Sequence, residues 1–441
     1  MGPANKNPFR YGKAAEMKFQ VAVSTNVLLV FLAIPALHGQ EAEERPTPEV
    51  ARLADLLAEA ERVHPAIKAE AQMIESKRAR VPQVKSLPDP TVGTGWMGNI
   101  TFFSVQHLDP SSYRGISVMQ ELPFPGKLTL RGQIAEKDVD AEQWNLEAVR
   151  RQVRAGVKSA YYELGSVDQA IAHTQKNKDL LDKLARVAEE KYKVGKGLQQ
   201  DVLRAQLEVS RILQTLTILN QRRLSLTARL NTLLLRPSEA PIGTLETVTP
   251  SPLNHSLDEL VAQGVENYPD IRRQQQLIEQ SQYAVNLARK EYYPDFRVGY
   301  DYQQRPDLMD MHGFNFTINV PIFYKKKQRE SVSEASFALE SGKQSREAIR
   351  TELLFQVKDQ FLRAKASDEL LTLYTLALVP QSSLALESSM AAYQTGTLDF
   401  ESLISNFSSV LQYEVSYYEE LANYQKALVT LEQITGVELA K

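Results

Sequence analysis

The chain follows one plan twice. "HPAIKAEAQMIESKRARVPQVKSLPDPTVGTGW" begins at His64 and "YPDIRRQQQLIEQSQYAVNLARKEYYPDFRVGYDY" at Tyr268. Both open on X-Pro, run with helical spacing, and reach Pro-Asp (Pro88-Asp89, Pro294-Asp295) before a short alternating stretch. Strand-like segments follow, Gly115 to Pro123 and Gly313 to Pro321, each closed by proline. Long helical stretches come next, then "YKVGKG" at Tyr192 and "YQTGT" at Tyr393, and a further helix after each. A period of roughly 200 residues is too long for a solenoid unit and reads as duplication of a half-molecule. The expected organisation is a signal peptide with upstream extension over 1–39, a first repeat over 40–235, a connector over 236–256 and a second repeat over 257–441. The connector holds four prolines and lacks helical period.

The leader rests on Met17-Lys18, the apolar run Val27 to Ile34, and small residues ending near Gly39-Gln40. That run is shorter than the ~20 apolar residues a spanning helix needs. An uncleaved anchor is the alternative. No later segment is apolar enough to span a bilayer as a helix, so membrane insertion would have to use β-strands. The chain has no cysteine, which excludes disulfides, thiolate metal sites and cysteine nucleophiles. A net charge of −3 gives no basis for a nucleic-acid partner.

The long helices carry coiled-coil spacing. Leu146, Val149, Val153, Val157, Ala160, Leu164, Val167 and Ile171 step by three or four. Leu354, Val357, Phe361, Ala364, Leu371, Tyr374 and Leu378 do the same in the second half, with a kink expected at Pro380. Residues 128–194 as one helix would span about 100 Å. The expected flanking helices, 50–85 and 199–235, would together match it end to end, as 256–291 and 399–435 would match 327–394. The two Gly-containing turns then share the far end of a helical column, opposite the strands. A cytosolic coiled coil would give the same seam.

"GFNFTINVPIF" alternates, with Phe314, Phe316, Ile318, Val320 and Ile322 on one side and Asn315, Thr317 and Asn319 on the other. Val298, Tyr300 and Tyr302 extend the apolar face; Val92, Thr94, Trp96, Ile116 and Val118 form a weaker first hairpin. Strands of about 9–11 residues suit a tilted membrane crossing. A half-buried sheet on a soluble core is the blander alternative. Four strands cannot close a barrel, and open edges are not tolerated in lipid, so several chains would have to share one.

The signal peptide, the two-fold repeat, the Pro-Asp lead-ins and the paired "YKVGKGLQQDVLRAQ" and "VPQSSLALESSMAAYQTGTLDFESLI" segments resemble the TolC family of outer-membrane efflux ducts over roughly residues 50–437. "LPDP" and "QELPFPGKLTLR" look most like its heavy-metal branch, which includes CusC- and CzcC-like ducts. The resemblance implies a mixed α and β membrane protein: a long periplasmic α-helical coiled-coil tunnel, and four transmembrane β-strands per chain closing as a 12-stranded barrel in a homotrimer. It implies as partners a periplasmic adaptor (membrane fusion protein), an inner-membrane pump of the RND type, and outer-membrane lipid. It further implies adaptor-docking tips at Val194, Gly195, Gly197 and Leu198 and at Thr395, Gly396 and Thr397, and a periplasmic gate at Asp201 and Tyr393. "VGKGL" is one residue longer than the family's usual valine-glycine-leucine. The arginine common after the second tip glycine is replaced, Leu398 being the nearest match, and Asp399 and Glu401 are expected to supply an acidic ring. Carboxylates that simply suit a helix start are the alternative.

No nucleophile elbow, phosphate loop, HExxH or paired-histidine site is present, so no enzyme activity, cofactor or metal is expected. Met309, Met311 and His312 form one soft-metal-like cluster, where ordinary residues of an extracellular loop are expected instead. Pro123, Pro125, Gly126 and Pro321 mark strand-to-helix corners, and "YKKKQR" from Tyr324 is expected among lipid headgroups. The leading expectation is a passive duct for heavy-metal cations or small toxic compounds. The alternatives are the outer duct of a type I polypeptide secretion system and, in a different class, a periplasmic coiled-coil scaffold.

Overall fold

The computed structural model describes residues 50–98, 103–105 and 109–440. The leader (1–39) and residues 40–49 of the first repeat lie outside the described residues. In the first repeat come β1 (Val50–Ala51), α1 (Leu53–Val63), α2 (Pro65–Lys85), β2 (Thr91–Met97), β3 (Tyr113–Leu122), α3 (Lys127–Lys193) and α4 (Gln199–Leu233). After β4 (Thr244–Leu245) the second repeat gives α5 (Leu257–Asn267), α6 (Pro269–Lys290), β5 (Asp295–Gln304), β6 (Met311–Asn319), α7 (Gln328–Leu373), a π-helical turn (Tyr374–Leu378), α8 (Val379–Thr395) and α9 (Phe400–Thr435).

The flanking helices expected as 50–85 and 256–291 are each two helices. His64 and Tyr268 are extended, with ψ 123° and 120°. Pro65 and Pro269 force this, because proline bars the α region to the residue before it and then starts a new helix. The kink expected at Pro380 is a π turn just ahead of it, and helix resumes at Val379. Proline has no N–H to return to the preceding turn, and the wider π turn accommodates that. No helix among the described residues is long and apolar enough to cross a membrane.

Five members of the first seam (Val153, Val157, Ala160, Leu164, Val167) are buried, and Leu146, Val149 and Ile171 pack against them. In the second helix Leu353, not Leu354, is buried ahead of Val357, Ala364 and Leu371. The actual stripe steps by four from Leu353 to Val357, which the sequence alone shifts by one residue. These residues meet Leu230, Leu260, Tyr424, Leu428 and Leu431 in one core, each buried aliphatic contributing roughly 1.5–3 kcal/mol. A second core nearer the turns gathers Leu181, Ile212, Leu386, Leu403 and Phe407.

Between the main core and the strands, ion pairs set the register of α3. Lys77 joins Asp138 and Glu142, and Lys137 joins Asp140 and Glu279. The connector is pinned by β1–β4 parallel pairing, which the sequence did not reveal, by Tyr424 donating to the Ser251 carbonyl at 2.5 Å, and by Gln425 donating to that of Thr249 at 2.6 Å.

Candidate functional site

The sheet runs β2-β3-β5-β6, antiparallel throughout. Its register assigns every residue a face. One row joins Val92, Val118, Tyr300 and Phe314; another joins Thr94, Ile116, Tyr302 and His312. Phe296, Val298, Phe316 and Ile318 share that apolar face. Glycines 93, 95, 115, 299 and 313 lie on the other, with Ser117, Glu121, Arg297, Asp301, Asn315 and Thr317. Phe314 is 83% exposed, so the apolar face is open there among the described residues. The alternation ends at Asn319; Val320 and Ile322 belong to the following turn. On the polar face Asn315 donates to Asp301 at 2.6 Å, and Arg297 meets Glu121 at 3.5 Å. Among the described residues the outer strands β2 and β6 each leave one edge unpaired.

The helix neighbours repeat this pattern. Packing contacts run α2–α3–α6–α7 near the strands and α4–α3–α9–α8 nearer the turns. The boundary helices carry exposed large apolar residues: Leu203, Leu207 and Leu224 on α4, and Phe355, Leu362 and Leu384 on α7 and α8.

At the first corner Pro123, Phe124, Pro125 and Gly126 separate β3 from α3. Gly126 takes φ +89°, which a side chain resists. The next residue, Lys127, is only 1% exposed, and its Nζ reaches Asp295 at 2.9 Å, Glu291 at 3.1 Å and the Tyr293 carbonyl at 3.2 Å. Asp295 also accepts from the Phe124 N–H at 2.7 Å, and Phe124 stacks on Tyr293. The Pro-Asp lead-in is therefore one half of a clamp whose other half is Lys127. Sequence reasoning missed this lysine; its only local signal was a charge directly after the corner glycine. At the second corner Pro321 lies in an eight-residue link, 320–327, with no glycine. Lys325, Lys326 and Lys327 are exposed there, and the buried first residue of α7 is Gln328.

The two turns lie together at the far end. Lys191 donates to the Tyr393 carbonyl at 2.5 Å, and its Nζ sits 3.8 Å from the centre of that ring. In the first turn Val194 and Leu198 are exposed, Gly195 is left-handed at φ +72°, and Gly197 packs against Lys191 and Tyr192. Asp201 accepts from the Leu198 N–H at 3.4 Å. In the second, Gly396 is left-handed at φ +81°, and the Thr395 and Thr397 hydroxyls lie 3.1 Å apart. Tyr393 is 5% exposed, and its hydroxyl has no hydrogen-bond partner among the described residues. Burial raises its pKa, and the nearby Asp201 charge adds to this. Asp399 caps α9 by accepting from the Ser402 N–H at 2.7 Å, which holds its carboxyl below the usual range. Glu401 pairs with Arg204 of α4 at 2.8 Å, a tie that sequence spacing does not reveal. Within the chain, both acids proposed for a ring are thus engaged.

Met311 and His312 are already in β6 rather than a loop, and consecutive strand residues face opposite sides. The His312 ring shares a hydrogen bond with the Tyr300 hydroxyl at 2.7 Å.

A sequence model of the family described as "Outer membrane efflux protein" matches residues 56–234 and 260–437. The cobalt-zinc-cadmium resistance protein CzcC of Cupriavidus metallidurans is 20% identical over 379 residues, 84% of this chain and 86% of that protein. Among solved structures, CusC aligns with a TM-score of 0.73 at 14% identity, covering 87% of this chain and 91% of that one. The outer-membrane protein VceC of Vibrio cholerae aligns at 0.74 and 15% identity, covering 87% and 96%.

Proposed function

Because the chain belongs to the outer membrane efflux protein family, whose members are outer-membrane channels rather than enzymes, we propose that three copies close one passive duct. Each supplies four strands to a shared twelve-stranded barrel, and the helices continue the duct through the periplasm. The observation that carries this reading is the pair of open boundaries, β2 and β6 in the sheet and α4 and α7–α8 in the helices. A sheet with an apolar face needs its edges paired before lipid can surround it. The glycine-rich polar face then lines water and the aromatic face meets acyl chains. Phe323, Tyr324 and the lysines at 325–327 sit at the headgroup level.

At the periplasmic end the exposed Val194 and Leu198, with Gly195 and Gly197, and the Thr395-Gly396-Thr397 turn receive an adaptor. An inner-membrane pump of the RND type drives transport. Divalent heavy-metal cations are the cargo favoured by the likeness to CzcC. Deleting the gene should increase cobalt, zinc or cadmium sensitivity, and unchanged sensitivity would remove metals as cargo. Membrane fractionation separates the duct from a scaffold, since a fully soluble protein would contradict it.

Asp201, Tyr393, Asp399 and Glu401 form the gate, with the Lys191–Tyr393 and Arg204–Glu401 contacts tying neighbouring helices. Asp201→Ala with Tyr393→Phe is expected to raise single-channel conductance in planar bilayers severalfold; unchanged conductance would remove both residues from the gate.

A further inference from the structure

Four junctions among the described residues join the sheet to its helices, and each carries lysine. Lys85, closing α2, pairs with Glu136 at 2.5 Å. Lys127, opening α3, is held by Asp295 and Glu291. Lys290, closing α6, donates to the Pro125 carbonyl at 3.1 Å and lies over the Phe124 ring. The fourth junction, between β6 and α7, differs. Lys325, Lys326 and Lys327 are exposed there, and none has a side-chain hydrogen bond or ion pair among the described residues.

These lysines stand on a folded turn. The Phe323 carbonyl accepts from the Lys326 and Lys327 N–H groups, both at 3.1 Å, and the Tyr324 carbonyl from that of Arg329 at 2.9 Å. The acids nearby are already engaged: Glu330 by Arg329, and Asp295 and Glu291 by Lys127. Three like charges therefore repel one another just before a 46-residue helix whose dipole each of them opposes. A counter-charge from outside the chain would relieve both costs.

The same link exposes large apolar side chains. Ile322 and Tyr324 are exposed, and Phe323 is 73% exposed. The Tyr324 ring lies 6.4 Å from that of Tyr292, itself exposed. Aromatic rings beside lysines suit the boundary between acyl chains and headgroups. The link is on the helical side of the sheet, so in a spanning barrel it meets the periplasmic leaflet.

Resting on the membrane reading of the strands, we propose that Lys325, Lys326 and Lys327 form a binding site for an anionic glycerophospholipid of the periplasmic leaflet, one site per chain. The ammonium groups take the headgroup phosphate, and Ile322 and Phe323 lie along the acyl chains. The charge pattern selects lipid of net negative charge. A zwitterionic headgroup brings its own cation beside the phosphate and leaves the repulsion among the lysines in place. The first corner offers no such site, because its lysine is buried against carboxylates of the same chain. The lipid thus sits at the start of α7 and not of α3.

Titration of the detergent-solubilised protein with dioleoylphosphatidylglycerol, followed by native mass spectrometry, tests this. A lysine near an anionic surface contributes about fivefold in affinity. The wild type should therefore bind this lipid at least about tenfold more tightly than Lys325→Gln/Lys326→Gln/Lys327→Gln. Lys325→Arg/Lys326→Arg/Lys327→Arg keeps the charge and should bind at least as tightly as the wild type. Dioleoylphosphatidylcholine should bind all three proteins equally weakly. Equal phosphatidylglycerol affinity in the wild type and the glutamine variant, or no preference of the wild type for phosphatidylglycerol over phosphatidylcholine, overturns the proposal and leaves the duct standing. A wild type that fails to float with phosphatidylcholine vesicles after detergent removal overturns the membrane reading itself, and the lipid site with it.

Discussion

The two strand-to-helix corners follow one path with different chemistry. The first takes four residues, uses a left-handed glycine and buries Lys127 against Asp295 and Glu291. The second takes eight residues, has no glycine, and leaves three lysines exposed at the positive end of a long helix. Cations there oppose the helix dipole, so their placement does not serve the stability of α7. The helices beyond also differ. α3 is one run of 67 residues, whereas α7, the π turn and α8 together hold 68. The π turn absorbs the additional residue and keeps the columns in step. The two corners thus differ in what they bury, a lysine held by two carboxylates in the first and the neutral Gln328 in the second.

Three substitutions probe that contrast. Lys127→Ala strands two carboxylates at the first corner and should cost about 2–3 kcal/mol in chemical unfolding. That is below the usual range for a buried pair, because Glu291 is 38% exposed. Lys327→Ala, one residue before α7, should cost almost nothing in the isolated chain; equal losses would erase the distinction between the corners. Gly126→Ala should cost about 1–2 kcal/mol, since a side chain resists this φ and would crowd Lys290. A neutral outcome would show that the corner relaxes as the glycine-free one does. The smallest effect is expected at the turns, where α9 has the carboxylate cap Asp399 and α4 opens on Leu198, which has none. Leu198→Asp should stabilise the first turn by about 0.5–1 kcal/mol in thermal unfolding. No gain would mean that Asp201 already satisfies that helix end.

The pattern of the fold was legible because it rests on period. Alternation gave the strands and their faces, and steps of three and four gave the α3 seam. Proline effects were harder to place. His64-Pro65 and Tyr268-Pro269 split helices that spacing alone runs together, and Pro380 acts through the turn before it. Long-range contacts were not legible. Lys127 and Asp295 are 168 residues apart, and Arg204–Glu401 joins different repeats. Each looks locally like an ordinary charged residue, and only the register of sheet and helices brings the partners together. Asp399 takes the helix-start role that the sequence offered as the alternative to an acidic ring, whereas the pairing of Glu401 with Arg204 was not legible.

The central claim is that one chain is a third of a closed wall. Imaging of the purified protein in detergent tests it most directly. The account requires a three-fold cylinder, with twelve strands at one end and a helical column at least about 100 Å long at the other. A monomer, or an assembly whose β2 and β6 edges stay unpaired, would contradict it.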